Sequence, residues 1–421
     1  MNDLVSRDLD TIWHPYTQMK TADKPIPIVK GEGVYLYTQD GTKLIDAVSS
    51  WWVNIHGHSH PYIAQKVFEQ LKVLEHVIFA GFTHPQAVKL AENLLSIIPK
   101  NQAKIFYSDN GSTAVEVAIK MCLQFWSNQG QNRTKILAFK NSYHGDTFGA
   151  MAVSARSAFT KAFDALLFDV EFIDLPNKEN LEELKAQISE IKSELACFIF
   201  EPLIQGAGGM LMYEAEDLDQ ILAHCKEEKV LTIADEVMTG FGRTGKLFAS
   251  DHLLHKADLM CFSKGLTGGT MPLGITSCSQ AIYDAFLSDD KLKTLFHGHS
   301  FTANPVACAA SNASFDILMS PESQENLKRI TKKHQSFKKE IEGHPKLRNV
   351  RQCGTIIAMD WDIEATSYFN NIRNTLYNFF LEKGIILRPL GNILYIMPPY
   401  CISDADLDYI YDQIREALTK F

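Results

Sequence analysis

Long apolar segments and clusters of basic residues are both missing from this sequence, and each absence excludes a class of protein. No uninterrupted apolar run approaches the ~20 residues that a helix needs to span a bilayer, so we expect no membrane partner. The first residues, M-N-D-L-V-S-R-D, lack the basic-then-apolar pattern of a signal peptide, and we therefore expect a cytoplasmic protein. The 41 basic residues are scattered and outnumbered by 50 acidic ones, which argues against nucleic acid as a partner.

Cysteine is also sparse, and its placement excludes a disulfide framework. The eight cysteines among 421 residues include no C-x-x-C pair. Cys197 and Cys261 lie inside apolar runs, as reduced cysteines in the core of a cytosolic protein do.

The length and the apolar content are those of a chain with a large core. With 46% hydrophobic residues among 421, length alone suggests roughly two or three domains. Short apolar runs alternate with helical patterns up to about residue 320, which predicts an α/β fold. From about residue 321 the chain mixes charged helices with strands, and this α+β pattern predicts a second domain over 321–421.

One lysine follows a short apolar run in the middle of the chain. Residues 259–262, L-M-C-F, precede S-K-G, which predicts a buried parallel strand that ends near Lys264. Ligands of open α/β sheets bind beyond the carboxyl ends of the strands. A lysine at that edge, beside a glycine-rich turn, can form a Schiff base with a carbonyl compound. The alternative is a surface lysine at a strand end.

An acidic residue ends a second predicted strand, V-L-T-I-A-D-E-V over 230–237. Asp235 lies 29 residues before Lys264, a spacing that suits one strand–helix–strand crossover and would place both side chains at the same sheet edge. Pyridoxal 5′-phosphate (PLP) needs such a pair, because the lysine holds its aldehyde and the acid keeps its pyridine nitrogen protonated. Acid–lysine pairs are common, so the pair alone only suggests this cofactor.

A turn between the predicted strand 104–107 and the predicted helix 114–126 reads N-G-S-T. The backbone amides of Gly111 and Ser112 would lie at the start of the helix, where free N–H groups and the helix dipole bind phosphate. A plain helix cap is the alternative.

Two further polar residues follow predicted strands. Tyr143 comes after the strand 136–139 and can either stack on a flat ring or pack in the core. Glu201 comes after the strand 197–200 and is either another carboxylate at the site edge or part of a surface salt bridge.

Two neighbouring tryptophans and three alternating histidines lie before the first of these strands. Trp51 and Trp52 form either the apolar wall of a substrate pocket or a plug in the core. The stretch H-G-H-S-H-P over 56–61 would bring its histidines to one face of a strand, but glycine and proline break a strand here and no cysteine or carboxylate is near. We therefore predict no metal site and expect His60-Pro61 to begin a helix over 62–74.

Taken together in order, the motifs resemble those of the class III aminotransferases, which have PLP fold type I. The motifs are N-G-S-T, Y-H-G-D-T, E-P-x-x-Q-G-A-G-G, D-E-V-M-T-G-F-G-R-T-G and S-K-G, and the resemblance runs from about residue 13 to the end. It implies an α/β fold with a large, mostly parallel-sheet domain over 57–320. The smaller α+β domain would be built from both chain ends, residues 1–56 and 321–421.

The resemblance also implies roles for particular residues. Lys264, Asp235 and Tyr143 would be catalytic, and Lys264 would bind PLP covalently. The further cofactor-binding residues would be Gly111, Ser112, Glu201 and Val237, with His299 and Ser300 reaching the phosphate of a partner subunit in a homodimer. Substrate contacts would fall to Tyr16, Trp51, Trp52, Tyr143, Lys264, Gly298, Arg388 and Tyr395.

Within the family, three stretches resemble the members that act in biotin synthesis. These are W-H-P-Y-T-Q, S-S-W-W and I-A-D-E-V-M-T-G-F-G-R-T-G-K-L-F. The resemblance implies transamination of 8-amino-7-oxononanoate to 7,8-diaminononanoate, with S-adenosylmethionine as amino donor and lysine as the alternative donor. Trp51 and Trp52 would enclose the apolar chain of this substrate, and Arg388 would hold its carboxylate through a bidentate pair.

Two other functions remain open at this point. The first is another class III ω-aminotransferase, acting on ornithine, GABA or a polyamine, or a PLP aminomutase; the paired tryptophans and W-H-P-Y argue against it. The second is an inactive PLP-fold protein that serves as a binding or regulatory module, against which the presence of Lys264, Asp235 and Tyr143 argues.

Overall fold

The computed structural model describes residues 4–362 and 371–421. Its helices, in chain order, are α1 Leu4–Thr11, α2 Ser49–Trp52, α3 Pro61–Leu71, α4 Pro85–Ile97, α5 Gly111–Asn128, α6 Phe148–Ala152, α7 Leu181–Ile191, α8 Ala215–Glu227, α9 Gln280–Asp284, α10 Pro305–Leu318, α11 Pro321–Ile341, α12 Asn371–Glu382 and α13 Asp404–Lys420. None of the helices in these two ranges combines the length and the apolar character needed to cross a bilayer.

The strands form one large sheet and three small ones. In chain order they are β1 Ile28–Glu32, β2 Tyr35–Thr38, β3 Lys43–Asp46, β4 Gln102–Ser108, β5 Lys135–Phe139, β6 Glu171–Ile173, β7 Leu195–Phe200, β8 Ile204–Gln205, β9 Leu211–Met212, β10 Leu231–Asp235, β11 Leu259–Phe262, β12 Gly274–Ser279, β13 Leu347–Cys353, β14 Ile356–Trp361, β15 Ile385–Ile386 and β16 Ile393–Ile396.

The large sheet has the order β4-β12-β11-β10-β7-β5-β6. Only β12 is antiparallel to its neighbours, so the other six strands run in one direction and end at one edge. Strand β7, L-A-C-F-I-F, is buried at all six positions, as expected of a parallel strand covered on both faces. The expected α/β architecture with a mostly parallel sheet is confirmed.

The two chain ends meet in a second region of sheet. β15 pairs in parallel with β3, so a strand after residue 384 completes the sheet β1-β2-β3-β15 of the N-terminal segment. A separate antiparallel sheet, β13-β14-β16, is covered by α11 on one side. This pairing supports a small domain built from both ends, while the boundaries at residues 56 and 320 stay predictions.

The sequence also predicts a hairpin over 31–48 with a turn at Asp40-Gly41 and a last helix that starts at Ser403, and both are confirmed by β2–β3 and by α13. Three other expectations were wrong. The prolines in residues 1–30 predict an irregular arm, but Leu4–Thr11 is helical. The connection between β10 and β11 contains only the short 3-10 helix Ala249–His252 instead of a crossover α-helix. The apolar run 351–361 predicts one strand, but it lies in the hairpin of β13 and β14, because Gly354 takes a left-handed φ of +55° and reverses the chain.

Candidate active site

The polar residues that follow five parallel strands do meet at one sheet edge. They line a cavity of about 630 Å³. Its wall includes Gly111 and Ser112 after β4, Tyr143 after β5, Glu201 after β7, Asp235 at the end of β10 and Lys264 after β11. Because the strands are parallel, their carboxyl ends must lie together, which is why strand-end positions alone predicted this cluster.

Lys264 begins the short 3-10 helix Lys264–Thr267 directly after β11. Its ammonium lies 4.8 Å from the ring centre of Trp52. Burial lowers the pKa of Lys264 to about 8, while the nearby carboxylates of Asp235 and Glu201 oppose this shift. An amine with this pKa is partly unprotonated near neutrality, as a nucleophile toward a carbonyl group must be.

The Asp235 carboxylate is buried and held at both oxygens. Its Oδ2 lies 2.7 Å from Nδ1 of His144, and its Oδ1 accepts a hydrogen bond from the backbone N–H of Val237 at 3.0 Å. The other ring nitrogen of His144, Nε2, is buried and has no hydrogen-bond partner among the described residues. The carboxylate is therefore fixed in orientation before any ligand binds.

Glu201 is a second buried carboxylate at the same edge. Its two oxygens accept hydrogen bonds from the backbone amides of Tyr143 and Gly206, both at 3.1 Å. Burial raises the pKa of Glu201 to about 7; His144 opposes this shift and Asp235 adds to it. Glu201 thus joins the ends of β5 and β7 and is not part of a surface salt bridge.

The start of α5 leaves two backbone amides for a ligand. The Asn110 side chain accepts from the backbone N–H of Thr113, and the Asn110 carbonyl accepts from Ala114. The amides of Gly111 and Ser112 are therefore outside the capping interactions, at the positive end of an 18-residue helix. A Cβ atom at Gly111 would lie 2.7 Å from Cγ1 of Val237, so only glycine fits between Val237 and the helix start.

A tyrosine from the N-terminal arm reaches the cavity rim. The hydroxyl of Tyr16 donates a hydrogen bond to the carboxylate of Asp146, which lines the cavity. Burial raises the pKa of Tyr143 above its ordinary value, and the neighbouring Asp146 and Tyr16 add to this effect.

The paired tryptophans face in different directions. Trp52 is buried and lines the cavity, and its indole N–H donates to the hydroxyl of Tyr395 at 2.9 Å. Trp51 is 43% exposed and stacks against the Arg388 guanidinium at 4.5 Å, with the ring of Tyr16 at 5.8 Å. The chain separates them by taking positive φ angles at Ser49, Ser50 and Trp52.

Several expected site residues lie outside the cavity wall. Tyr395 is buried behind Trp52. Arg388 and Trp51 are connected to the cavity through Tyr16, whose ring meets Trp51 and whose hydroxyl binds Asp146 of the cavity wall. Gly298, His299 and Ser300 belong to a loop that does not line the cavity of its own chain, and Gly298 and Ser300 are exposed. Nε2 of His299 is buried with no hydrogen-bond partner in the described part of the chain.

Sequence reasoning missed two residues of the site, His144 and Asp146. Both belong to the motif Y-H-G-D-T, in which only the tyrosine was singled out. Their partners, Asp235 and Tyr16, are far away in sequence, so the motif itself was the only available signal.

The residues present fit PLP. Lys264 offers a buried amine, Asp235 an oriented carboxylate for the pyridine nitrogen, and the start of α5 two amides for the phosphate. By contrast, no group of three or more His, Cys, Asp or Glu side chains in the described ranges is arranged to hold a metal ion.

A mostly parallel sheet with a buried lysine and a fixed aspartate at its carboxyl edge defines a PLP-dependent enzyme of fold type I. The model of the family "Aminotransferase class-III" matches residues 16–418, and this chain belongs to that family. It is therefore an aminotransferase that uses PLP.

Individual relatives resemble the chain over its whole length. The adenosylmethionine-8-amino-7-oxononanoate aminotransferase of Synechococcus elongatus is 45% identical and covers 97% of this chain and 98% of its own length. The crystal structure of the enzyme with that name from Methanocaldococcus jannaschii gives a TM-score of 0.94 at 37% identity, covering 99% of this chain and 98% of that one. A PLP-bound amine transaminase from an uncultivated Pseudomonas species gives a TM-score of 0.91 at 28% identity, and the match covers 97% of this chain and 98% of that one.

Proposed function

We propose that this aminotransferase converts 8-amino-7-oxononanoate to 7,8-diaminononanoate, with S-adenosylmethionine as amino donor. The observation that carries the proposal is the stack of Arg388 on Trp51 at the rim of the cavity. The acceptor is a long apolar chain with a terminal carboxylate, and it needs one apolar wall and one cation at a distance from the reacting carbon. Trp52 supplies the wall beside Lys264, and Arg388 supplies the cation. The relatives from Synechococcus elongatus and Methanocaldococcus jannaschii carry this substrate in their names.

The cofactor would be held by four groups of this chain. Lys264 would bind its aldehyde carbon, Asp235 would pair with the pyridine nitrogen, and the amides of Gly111 and Ser112 would hold the phosphate. Val237 and Tyr143 would enclose the two faces of the ring. When bound, PLP supplies an electron sink that stabilises negative charge on the substrate carbon.

The residues around the cofactor would then move and hold protons. The Nζ atom of Lys264, with its pKa lowered to about 8 by burial, would take a proton from the substrate carbon and return it. Asp235, fixed by His144 and Val237, would keep the positive charge on the pyridine nitrogen. Glu201 would keep the ends of β5 and β7 in register beside the ring.

We further propose that the enzyme is a homodimer whose partner subunit completes each site. The loop that carries Gly298, His299 and Ser300 lies outside the cavity of its own chain, so its expected contact with phosphate requires a second copy. Two large apolar side chains next to these residues, Phe296 and Phe301, are 70% and 63% exposed, and exposed apolar side chains of this kind are typical of an interface.

A comparison of substrates tests the proposed reaction. Purified holoenzyme should aminate 8-amino-7-oxononanoate and should turn over ornithine, GABA and short ω-amino acids far more slowly. Each donor, S-adenosylmethionine, lysine and glutamate, should be supplied separately, since the cofactor's absorbance reports the donor half-reaction. Equal turnover of the short ω-amino acids would replace the proposal with a general ω-aminotransferase.

A further inference from the structure

The backbone at Lys264 is held in a conformation that it does not adopt freely. Lys264 has a φ of +46°, in the left-handed region that a residue with a side chain occupies only when its surroundings hold it there. Two backbone bonds hold this segment locally, from the N–H of Leu266 to the carbonyl of Ser263 at 2.9 Å and from the N–H of Gly268 to the carbonyl of Gly265 at 3.0 Å. Contacts from other parts of the fold add to these bonds in fixing the direction of the Lys264 amine.

Two serines on α10 bind the carbonyl groups of this turn. The hydroxyl of Ser311 donates to the carbonyl of Leu266 at 2.8 Å, and that of Ser314 donates to the carbonyl of Gly265 at 3.3 Å. Both serines are fully buried. Water cannot replace these hydroxyls, so each missing bond would leave a buried carbonyl without a partner.

His56 lies behind Ser314, and its ring packs on the end of the same turn. Its Nε2 lies 2.9 Å from the Ser314 hydroxyl, and its Cδ2 lies so close to Gly268 that an added Cβ there would approach it to 2.8 Å. The serine has one proton and donates it to Gly265, so the histidine must donate its Nε2 proton to the serine. The donor and the acceptor of both hydrogen bonds are thereby fixed: His56 donates to Ser314, and Ser314 donates to Gly265.

We propose that His56 is a positioning residue for the reaction: through Ser314 it holds the turn Gly265–Gly268 and so directs the Lys264 amine into the cavity. This role rests on the proposed function of Lys264 as the amine that binds the cofactor. It also explains one member of the alternating histidines. The second, His58, bonds to Asp46 at 2.9 Å, and the third, His60, lies at the N-cap position of α3 ahead of Pro61, with no capping hydrogen bond from its side chain.

Few charged groups act on His56 or on Lys264, the residues at the two ends of this series of hydrogen bonds. Burial lowers the pKa of His56 to about 3, with His60 and Arg243 adding to the effect, so the ring stays neutral at working pH. Asp235, Glu201 and Arg243 are the charged groups that act on Lys264. Replacing a neutral His56 therefore changes the position of Lys264 and its access to water, with no change in nearby charge.

The chain also contains a matched control for a histidine that only packs in the core. His334 on α11 is fully buried, and its Nδ1 lies 2.7 Å from the hydroxyl of Tyr411 in the small domain. Burial lowers the pKa of His334 to about 3 as well. His334→Leu should cost stability as His56→Leu does, but it should not affect Lys264.

The experiment compares the holoenzyme variants His56→Leu, His56→Gln, Ser314→Ala and His334→Leu. Three quantities are measured: the midpoint pH of the change in visible absorbance, the deuterium uptake of the peptide 263–270, and kcat. His56→Leu and Ser314→Ala should raise the midpoint by about one pH unit, because water reaching the lysine nitrogen favours its protonated form. Both should speed deuterium uptake in that peptide and lower kcat by roughly ten- to a hundredfold.

His56→Gln places an amide donor where Nε2 lies. Its absorbance midpoint and its kcat should therefore lie close to those of the unmodified enzyme. If His56→Leu lowers only the melting temperature, as His334→Leu does, His56 is a structural residue and the inference is wrong. If His56→Leu does not fold, Ser314→Ala decides by the same measurements. Borohydride reduction of the unmodified enzyme tests the role of Lys264 separately. A cofactor label on any other lysine would overturn that role, whatever the His56 variants show.

Discussion

His144 and Asp235 form a buried pair in which Nδ1 of the histidine lies 2.7 Å from Oδ2 of the aspartate. The second carboxylate oxygen is occupied by the backbone N–H of Val237. A carboxylate that is oriented before the cofactor binds loses little entropy when it pairs with the pyridine nitrogen. Under the proposed function, His144 therefore acts on the cofactor through Asp235.

Asp235→Asn should keep the shape of the side chain and lose its charge. The pyridine nitrogen would no longer be held protonated, so the single-turnover rate of either half-reaction should fall by roughly 30-fold to several-thousand-fold, the cost of losing a buried charge-assisted pair. Stopped-flow absorbance of the cofactor measures this rate. Asp258→Asn is the control, because that half-buried carboxylate accepts hydrogen bonds from Thr232 at the opposite edge of the sheet. Near-normal rates in Asp235→Asn would make Asp235 a structural residue.

Lys264→Ala should abolish transamination, since no other amine in the cavity wall can bind the aldehyde. Cofactor should still associate through its phosphate at the start of α5. Borohydride reduction of the unmodified enzyme, followed by peptide mapping, should place the label on the peptide that contains Lys264. Lys246→Ala, at an exposed lysine outside the cavity, should keep both the label and the activity.

Arg388→Ala should damage one half-reaction more than the other. If Arg388 binds the acceptor's carboxylate, kcat/KM for 8-amino-7-oxononanoate should fall by roughly 30-fold to several-thousand-fold. The donor half-reaction should change much less, and the two are measured separately by the cofactor's absorbance. Arg133→Ala is a matched control, because Arg133 also stacks on a tryptophan, Trp126, at 3.8 Å but lies outside the cavity. Equal losses in both half-reactions would mean that Arg388 serves both substrates or supports the fold.

Glu201 should make stability depend on pH in a defined window. Its pKa is raised from 4.5 to about 7 by burial, so the folded protein retains a proton that the unfolded chain releases. The stability that this proton contributes is complete below pH 4.5 and is lost as the pH rises to about 7, by up to about 3 kcal/mol. Relative to Glu201→Gln, the cofactor-free protein should therefore lose stability across this window and change little above it.

Urea unfolding at a series of pH values measures that difference. Glu194→Gln removes an exposed carboxylate and serves as the control for the change in net charge. A constant difference between the unmodified protein and Glu201→Gln from pH 4.5 to 7 would contradict the prediction.

The sequence by itself determined the sheet, its direction and the edge at which the site lies. Runs such as L-A-C-F-I-F and L-M-C-F are apolar because parallel strands are buried on both faces, and their polar successors must meet at the carboxyl edge. For that reason the positions of these residues after their strands place them together at one edge: Lys264, Asp235, Glu201, Tyr143 and Gly111. The motifs then indicated the family and the cofactor.

Only the tertiary structure decided how those residues are held. The bond from His56 to Ser314 joins residues 258 positions apart, and that from His144 to Asp235 joins residues 91 apart, which no local pattern records. The opposite directions of Trp51 and Trp52 depend on positive φ angles at Ser49, Ser50 and Trp52, where local propensity favours ordinary backbone. Such conformations persist because packing between distant segments outweighs their local cost, so they are decided when the chain folds and not by its local sequence.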